Sequence, residues 1–504
     1  MSDQNTGQPQ KIMFVVLFRL IKSALGFIFF YIAVLFYIPH VIGTVQYSIA
    51  FVAIFSFIFN LRFSIAHLKI YPEEENKAAC IGTQLFYKFV FILVALIFYF
   101  SLLLIIGFET VLTILIIIFL FEQVSQGINN AFINVLVADG EMIKAQFPWI
   151  INSITRVLFL VLGILFFELN EITLASAYIL STLIHLVILI FYFIPYKVAK
   201  PNKYLLKKYL KFTYPLSFLT IVTLVSTNIG VLLIDFWIST EAVAFYYAAD
   251  HLSVFRTIIP NIISLVMVPI FSKNIKQNHP EKNRRIIKMI SRYSCLMFGM
   301  IIMLSFLYSD ELIITFIGDT YYQSIFIFNI IVLAQIIYLN DIAVYADLNA
   351  RGLTKLYSLI CIIGELYSIF LIIFFIAPNG LNLGINGVPL AMLIRHATYS
   401  PILRLYLWKK YKYSYNFEIF IYLISAFLIY GVNYFLLSDL NLYTYFFLIP
   451  ILAFLNIILY FGVLYILRGV KKQDLRYLKL MLNIKSLINI LYTDLSLKKG
   501  KNNS

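Results

Sequence analysis

Hydrophobic residues in this chain come in long unbroken runs separated by short polar stretches. A helix needs roughly 20 apolar residues to cross a hydrocarbon core of about 30 Å. Runs of that length fall at 13–38, 41–59, 83–106, 111–138, 147–168, 172–195, 213–237, 242–270, 288–308, 324–348, 353–377, 385–407, 417–437 and 443–468. The short alternating strands of a membrane barrel do not fit this pattern. The expectation is an all-α polytopic membrane protein with fourteen transmembrane helices. The first run is too long for the core of a cleaved signal and lacks a small-residue cleavage site, so it reads as a retained span.

The polar stretches divide by charge. With the N-terminus inside, the outer connections are 39–41, 107–110, 168–172, 238–241, 309–323, 378–384 and 438–442. None of the 39 Lys and Arg residues falls in them, whereas Glu109, Glu168, Glu171, Glu241, Asp310, Glu311, Asp319 and Asp439 do. The inner connections hold Lys69, Lys77, the clusters Lys197–Lys211 and Lys273–Lys288, and Lys409–Lys412, with nine more basic residues from Arg468 to Lys501. This is the positive-inside rule, and it predicts cytoplasmic termini in a multi-pass protein of the cell membrane.

Composition narrows the function classes. At 62% hydrophobic and 12% charged residues, the chain has too much apolar surface for a soluble protein. The net charge of +15 is carried by the inner face, so anionic membrane lipids are the expected partners and nucleic acid is not. Cys80, Cys295 and Cys361 lie far apart with no CxxC pair, so no structural metal and no cofactor are expected. No phosphate-binding GxxxxGK[ST] loop occurs. The outer connections are all short, which speaks against a glycosyltransferase or polymerase with a large catalytic loop; the chain reads as a non-enzyme.

The longest basic connection, "YKVAKPNKYLLKKYLKF" (Tyr196–Phe212), separates six runs from six. Its pattern suits a short helix on the inner surface. Across it, "IPHVIGTVQYSIA" (Ile38–Ala50) aligns with "ISTEAVAFYYAAD" (Ile238–Asp250), and "ADGEMIK" (Ala138–Lys144) with "ARGLTK" (Ala350–Lys355). Such a repeat predicts two pseudo-symmetric six-helix lobes around a central cavity, the arrangement of alternating-access transporters. The expected organisation is an N-terminal tail at 1–12, an N-lobe at 13–195, a linker at 196–212 and a C-lobe at 213–408. Two extra helices follow at 417–468, then a basic amphipathic tail at 469–504.

Polar residues within spans are expensive and mark candidate sites. Arg19 and Lys22 share a face of the first helix; near the inner surface they can be interfacial anchors or substrate contacts. Arg256 lies mid-span, four residues before Pro260. It either lines a cavity or pairs with Asp235 or Asp250. Arg156 and Arg395, the latter beside His396, are equally open between pairing and substrate contact. Glu122, Gln126, Asn130 and Asn134 recur every four residues as a polar stripe that either knits helices together or lines a path. Glu122, Asp341 and Glu365 are the acids best placed to take H⁺ or Na⁺ as a coupling ion.

Three stretches resemble a known family. "STEAVAFYYAADHLSVFRTIIPNIISLVMVPIFSKN" (Ser239–Asn274) is similar to the eighth span of Wzx-type polysaccharide flippases in the multidrug/oligosaccharidyl-lipid/polysaccharide (MOP) exporter superfamily. "NARGLTKLYSLICIIGELYSIFLIIFFIAPNGLNLGINGVPLAMLI" (Asn349–Ile394) and "FSIAHLKIYPEEENKAACIGT" (Phe63–Thr83) resemble its later and earlier inner-loop regions. The resemblance implies a flippase that moves a lipid-linked oligosaccharide (on polyprenyl phosphate or pyrophosphate) to the outer leaflet for cell-surface polysaccharide such as O-antigen. It works alongside other glycan-assembly proteins. It further implies that Arg19, Lys22 and Arg256 meet the headgroup, although the second run has no basic residue before Arg62; Arg395 joins them as a candidate headgroup contact by its depth in the span alone. The alternatives are a multidrug/cation antiporter of the same superfamily and a membrane-embedded polysaccharide polymerase or ligase.

Overall fold

The computed structural model describes residues 8–59, 63–277, 279–413, 416–437 and 448–470, and among them every regular element is helical. The α-helices are α1 (Gln8–Phe36), α2 (Pro39–Phe55), α3 (Phe63–Ile70), α4 (Lys77–Ile106), α5 (Thr110–Ala138), α6 (Met142–Phe166), α7 (Glu171–Phe193) and α8 (Lys203–Trp237). They continue as α9 (Thr240–Leu252), α10 (Phe255–Lys276), α11 (Pro280–Phe316), α12 (Ser324–Ala350), α13 (Thr354–Ile376), α14 (Gly387–Tyr411), α15 (Glu418–Leu437) and α16 (Ile449–Ile466). Residues 1–7 of the expected tail, the connection at 438–442 and the amphipathic segment from 471 lie outside the described residues. Residues 8–12, assigned to that tail by polarity, already belong to α1.

Short polar signals set the helix ends. Asn76, Asn170, Asn202 and Ser239 accept the exposed N–H groups that open α4, α7, α8 and α9. Proline opens α2, α11 and α16, where its missing N–H costs nothing. The repeated "ADG" and "ARG" stretches form the same turn. Gly140 and Gly352 take φ of 83° and 73°, and the next N–H reaches back five residues, Glu141 to Leu136 (2.8 Å) and Leu353 to Leu348 (3.0 Å). This is the left-handed glycine cap that a side chain would strain.

Among the described residues twelve helices are long and apolar enough to cross a membrane. They match the expected runs except at 242–270 and 385–407. The second is continuous in α14 but carries Arg395, His396 and Arg404. The first is not one span. It breaks at Ser253 and Val254 into α9 and α10, where the Val254 N–H reaches only to the His251 carbonyl and the Arg256 N–H only to that of Ser253, and within the next turn Pro260 leaves the Arg256 carbonyl without its helical donor. The basic stretch 196–212 also differs from expectation: Lys203–Phe212 are the first turns of α8 rather than a separate surface helix, anchored by buried Leu205 and Tyr209.

The described residues fall into two compact units, one drawn from the chain up to Ser291 together with 309–413, the other from 292–308 together with the described residues from Asn416 on. In the first, α12 is the most buried span, with Leu339, Ala343, Val344 and Leu348 fully enclosed, while α4 shows Leu104 and Ile105 outward. Helix α2 packs on α9 so closely that a Cβ on Gly43 would stand 1.9 Å from the carbonyl oxygen of Thr240. In the second, polar side chains join the helices. Arg292 donates to Glu418 (3.0 Å) and to the Gly469 carbonyl (3.0 Å), and the amides of Asn433 and Asn456 pair at 2.8 Å.

Candidate functional site

Within the first unit two chambers lie side by side and share the wall residues Gln46, Ile49, Tyr247, His251, Thr257 and Asn261. The larger, of about 880 Å³, is built on α1 and α6. Arg19, Lys22, Ser23 and Gly26 of α1 all line it, and so do Trp149, Asn152, Ser153 and Arg156 of α6. Both sets follow the i, i+3, i+4, i+7 spacing of one helix face, so each helix turns its polar stripe to the same space. Among the described residues three cations line this chamber and no carboxylate does. Lys22 Nζ lies 3.7 Å above the Trp149 ring, and the Arg156 guanidinium 4.6 Å above Tyr178. Aromatic faces hold both cations from the side, Lys22 on Trp149 and Arg156 on Tyr178.

Glu122 stands behind Arg156, 4% exposed, with its Oε1 3.9 Å from the Arg156 Nη2. It accepts hydrogen bonds from Thr182 Oγ1 (3.2 Å) and from the Gln126 amide.

The smaller chamber, of about 560 Å³, is built on α8, α9, α10, α12, α13 and α14. Its two arginines are both paired. Arg256, at the start of α10, donates to Asp250 in α9, so the ion pair straddles the break between the two helices. Asp235, the other candidate partner, instead accepts from Thr240 Oγ1 at 2.7 Å. Arg395 meets Glu365 through two parallel bonds of 2.9 and 3.0 Å. The choice between a cavity wall and an ion pair therefore dissolves: Arg256 and Arg395 are both.

A family model described as "Polysaccharide biosynthesis protein" matches residues 9–275, more than half of the chain. The chain belongs to this polysaccharide biosynthesis protein family. No curated protein sequence matches it. Among solved structures it is similar to "Lipid II flippase MurJ, inward closed conformation", with a TM-score of 0.72 and 17% identity over 90% of this chain and 98% of that one. It is also similar to inward-facing and outward-facing multidrug resistance MATE transporters of the MOP superfamily. Their TM-scores are 0.63 and 0.57, at 14% and 13% identity, over 79% and 82% of this chain and 99% and 100% of theirs. The fold is thus the one that these solved flippase and transporter structures share.

The remaining predicted residues are divided in this polysaccharide biosynthesis protein. Of the α5 stripe, Gln126 lines the large chamber and Glu122 supports it from behind, whereas Asn130 and Asn134 line neither chamber. Asp341 lines neither. It is buried 2.6 Å from Arg404 Nε, the two side chains 4% and 2% exposed. Among the described residues no three His, Cys, Asp or Glu side chains cluster as a metal site would require. Trp149 and Tyr178 are functional candidates the linear reading passes over, and Arg156 emerges from it without an assigned role. The spacing of Trp149, Asn152, Ser153 and Arg156 is the signal that identifies their shared face.

Proposed function

We propose that this protein is a flippase that moves a lipid-linked oligosaccharide, on polyprenyl phosphate or pyrophosphate, from the inner to the outer leaflet of the cell membrane. The carrying observation is the large chamber: Arg19, Lys22 and Arg156 line it, with no carboxylate in its walls among the described residues. A phosphate placed there replaces its water with charge-assisted hydrogen bonds and offsets the cost of three cations in a low-dielectric space. A cationic drug would meet repulsion at the same place, which disfavours the antiporter reading. Family membership and the likeness in fold to MurJ support a carrier of this class.

Alternating access between two six-helix halves, fourteen spans and cytoplasmic termini complete the reading. They are supported by the twin glycine turns at Gly140 and Gly352 and by the charge partition between loops. The two spans beyond the twelve apolar helices are the broken α9–α10 and α14. For the coupling ion we assign H⁺ at Glu122, with Na⁺ and the acids Glu365 and Asp341 as the alternatives. When Arg156 turns to a phosphate, Glu122 loses its counter-charge and a proton compensates it.

The test is made in cells lacking the protein. Lipid-linked oligosaccharide should accumulate on the inner leaflet, and wild type should relieve it. Arg19→Gln with Lys22→Gln, or Arg156→Gln, should insert normally yet fail to relieve it. Full relief by these variants sinks the phosphate site. Shortened glycans without accumulation would move the polymerase or ligase reading ahead.

A further inference from the structure

The two chambers share walls but differ in charge. Asp250 and Glu365 match Arg256 and Arg395 in the smaller one, and every one of these charges is engaged by its partner. The Arg395–Glu365 pair uses both carboxylate oxygens and both terminal guanidinium nitrogens. Opening either pair to serve a charged ligand strands the other partner in a largely dry wall, which costs more than the new contact returns. An anion entering this space gains nothing from the arginines that the carboxylates beside them do not cancel. It also gives up its hydration, and the chamber next door, lined by three cations of which only Arg156 has a carboxylate behind it, is a better place for it.

Between the pairs the wall offers neutral groups. Tyr246 and Tyr338 contribute aromatic rings and hydroxyls, Ser368 a hydroxyl, and Asn228 its amide oxygen, its nitrogen being held by the Leu224 carbonyl (2.8 Å) and Thr227 Oγ1 (3.1 Å). Gln335 is already committed to the Arg256 carbonyl at 2.9 Å and fixes that wall. Ring faces with donors and acceptors at their rims complement a pyranose, which has C–H faces and a girdle of hydroxyls.

We infer that the smaller chamber holds the saccharide nearest the phosphate, and that it selects sugars without net charge (hexoses, deoxyhexoses, N-acetylated amino sugars) over uronic acids. This rests on the flippase reading above. The lipid-linked phosphate fills the cationic chamber, and the sugar it carries lies in the adjoining electroneutral one, on the other side of the shared wall residues Tyr247 and His251. The paired arginines act as a charge filter rather than as phosphate ligands.

The experiment uses the full chain in lipid nanodiscs and measures binding of three synthetic probes by titration. These are a short-chain polyprenyl phosphate, the same lipid phosphate bearing N-acetylglucosamine, and the same bearing glucuronic acid. The N-acetylglucosamine probe should bind about tenfold more tightly than the bare lipid phosphate, and the glucuronic acid probe no more tightly than the bare one. Glu365→Gln, which leaves Arg395 with uncancelled charge, should raise the ratio of glucuronic to N-acetylglucosamine affinity about tenfold. Asp250→Asn should do the same through Arg256 and serves as the second variant should the first not fold. Equal affinity for all three probes, or ratios unmoved in the folded variants, overturns the charge filter while leaving the flippase reading intact. Absence of binding by the bare lipid phosphate overturns both.

Discussion

Gln335 in α12 donates its amide to the carbonyl oxygen of Arg256 at 2.9 Å. That oxygen is the one Pro260, four residues on, cannot hydrogen-bond. The broken span is therefore a closed arrangement: proline frees a carbonyl, a neighbouring helix satisfies it, and the ion pair with Asp250 ties the two pieces together. In a membrane an unsatisfied carbonyl has no water to turn to, so the partner is needed.

Gln335→Leu should cost about 1–3 kcal/mol, the penalty for a buried carbonyl left without a donor. Thermal unfolding in detergent checks this. A transition temperature equal to wild type would show that the break needs no such support.

The Asp341–Arg404 pair is the most enclosed ion pair in the first unit, and it is predicted to be structural. Arg404→Met should cost about 3–5 kcal/mol by stranding the carboxylate, and adding Asp341→Leu should recover most of that loss. Asp341→Asn should leave the ion dependence of transport as in wild type. An altered ion dependence in a folded Asp341→Asn protein would instead make this acid a coupling site.

Two glycines on facing helices should respond in opposite ways. Gly43→Val drives a side chain into the backbone of Thr240 and should abolish folded protein. Gly26→Ala, with nothing within 4 Å of its added carbon, should accumulate as wild type does. Size-exclusion profiles of the two variants distinguish them; a folded Gly43→Val protein would contradict the close approach of α2 and α9.

His67 lies in α3, outside the apolar spans. It is fully buried, with Nδ1 2.8 Å from the Tyr209 hydroxyl, and burial pushes its pKa down to about 4. The unfolded chain, with an ordinary histidine, binds more protons between pH 6.5 and 4, so stability should fall as pH drops through that window. The full loss is on the order of 3 kcal/mol, from a shift of this size. Denaturation midpoints between pH 7 and 4 should decline in wild type and flatten in His67→Gln.

A cysteine at Asp319, in a background with Cys80, Cys295 and Cys361 replaced by serine, should react with an impermeant maleimide in intact cells. Labelling only after the membrane is opened would invert the orientation drawn from loop charges.

Much of the architecture is legible in the sequence because the bilayer imposes a one-dimensional rule. Helix length, loop charge and polar stripes follow from local composition, and twelve of the expected runs appear as long apolar helices. The spacing of Arg19 and Lys22 put them on one face before any fold was known, and that face lines the large chamber. The sequence likewise marked Arg256 as costly where it stands. What sequence alone could not decide is which charges meet. Asp250 and Asp235 are both within reach of Arg256 along the chain, and only the break in the helix brings the first one to it. Arg395 and Glu365 are 30 residues apart, Arg404 and Asp341 63, and nothing local couples them. Pairing in a low-dielectric interior depends on distances of a few ångströms between separate helices, and those distances exist only once the helices have packed.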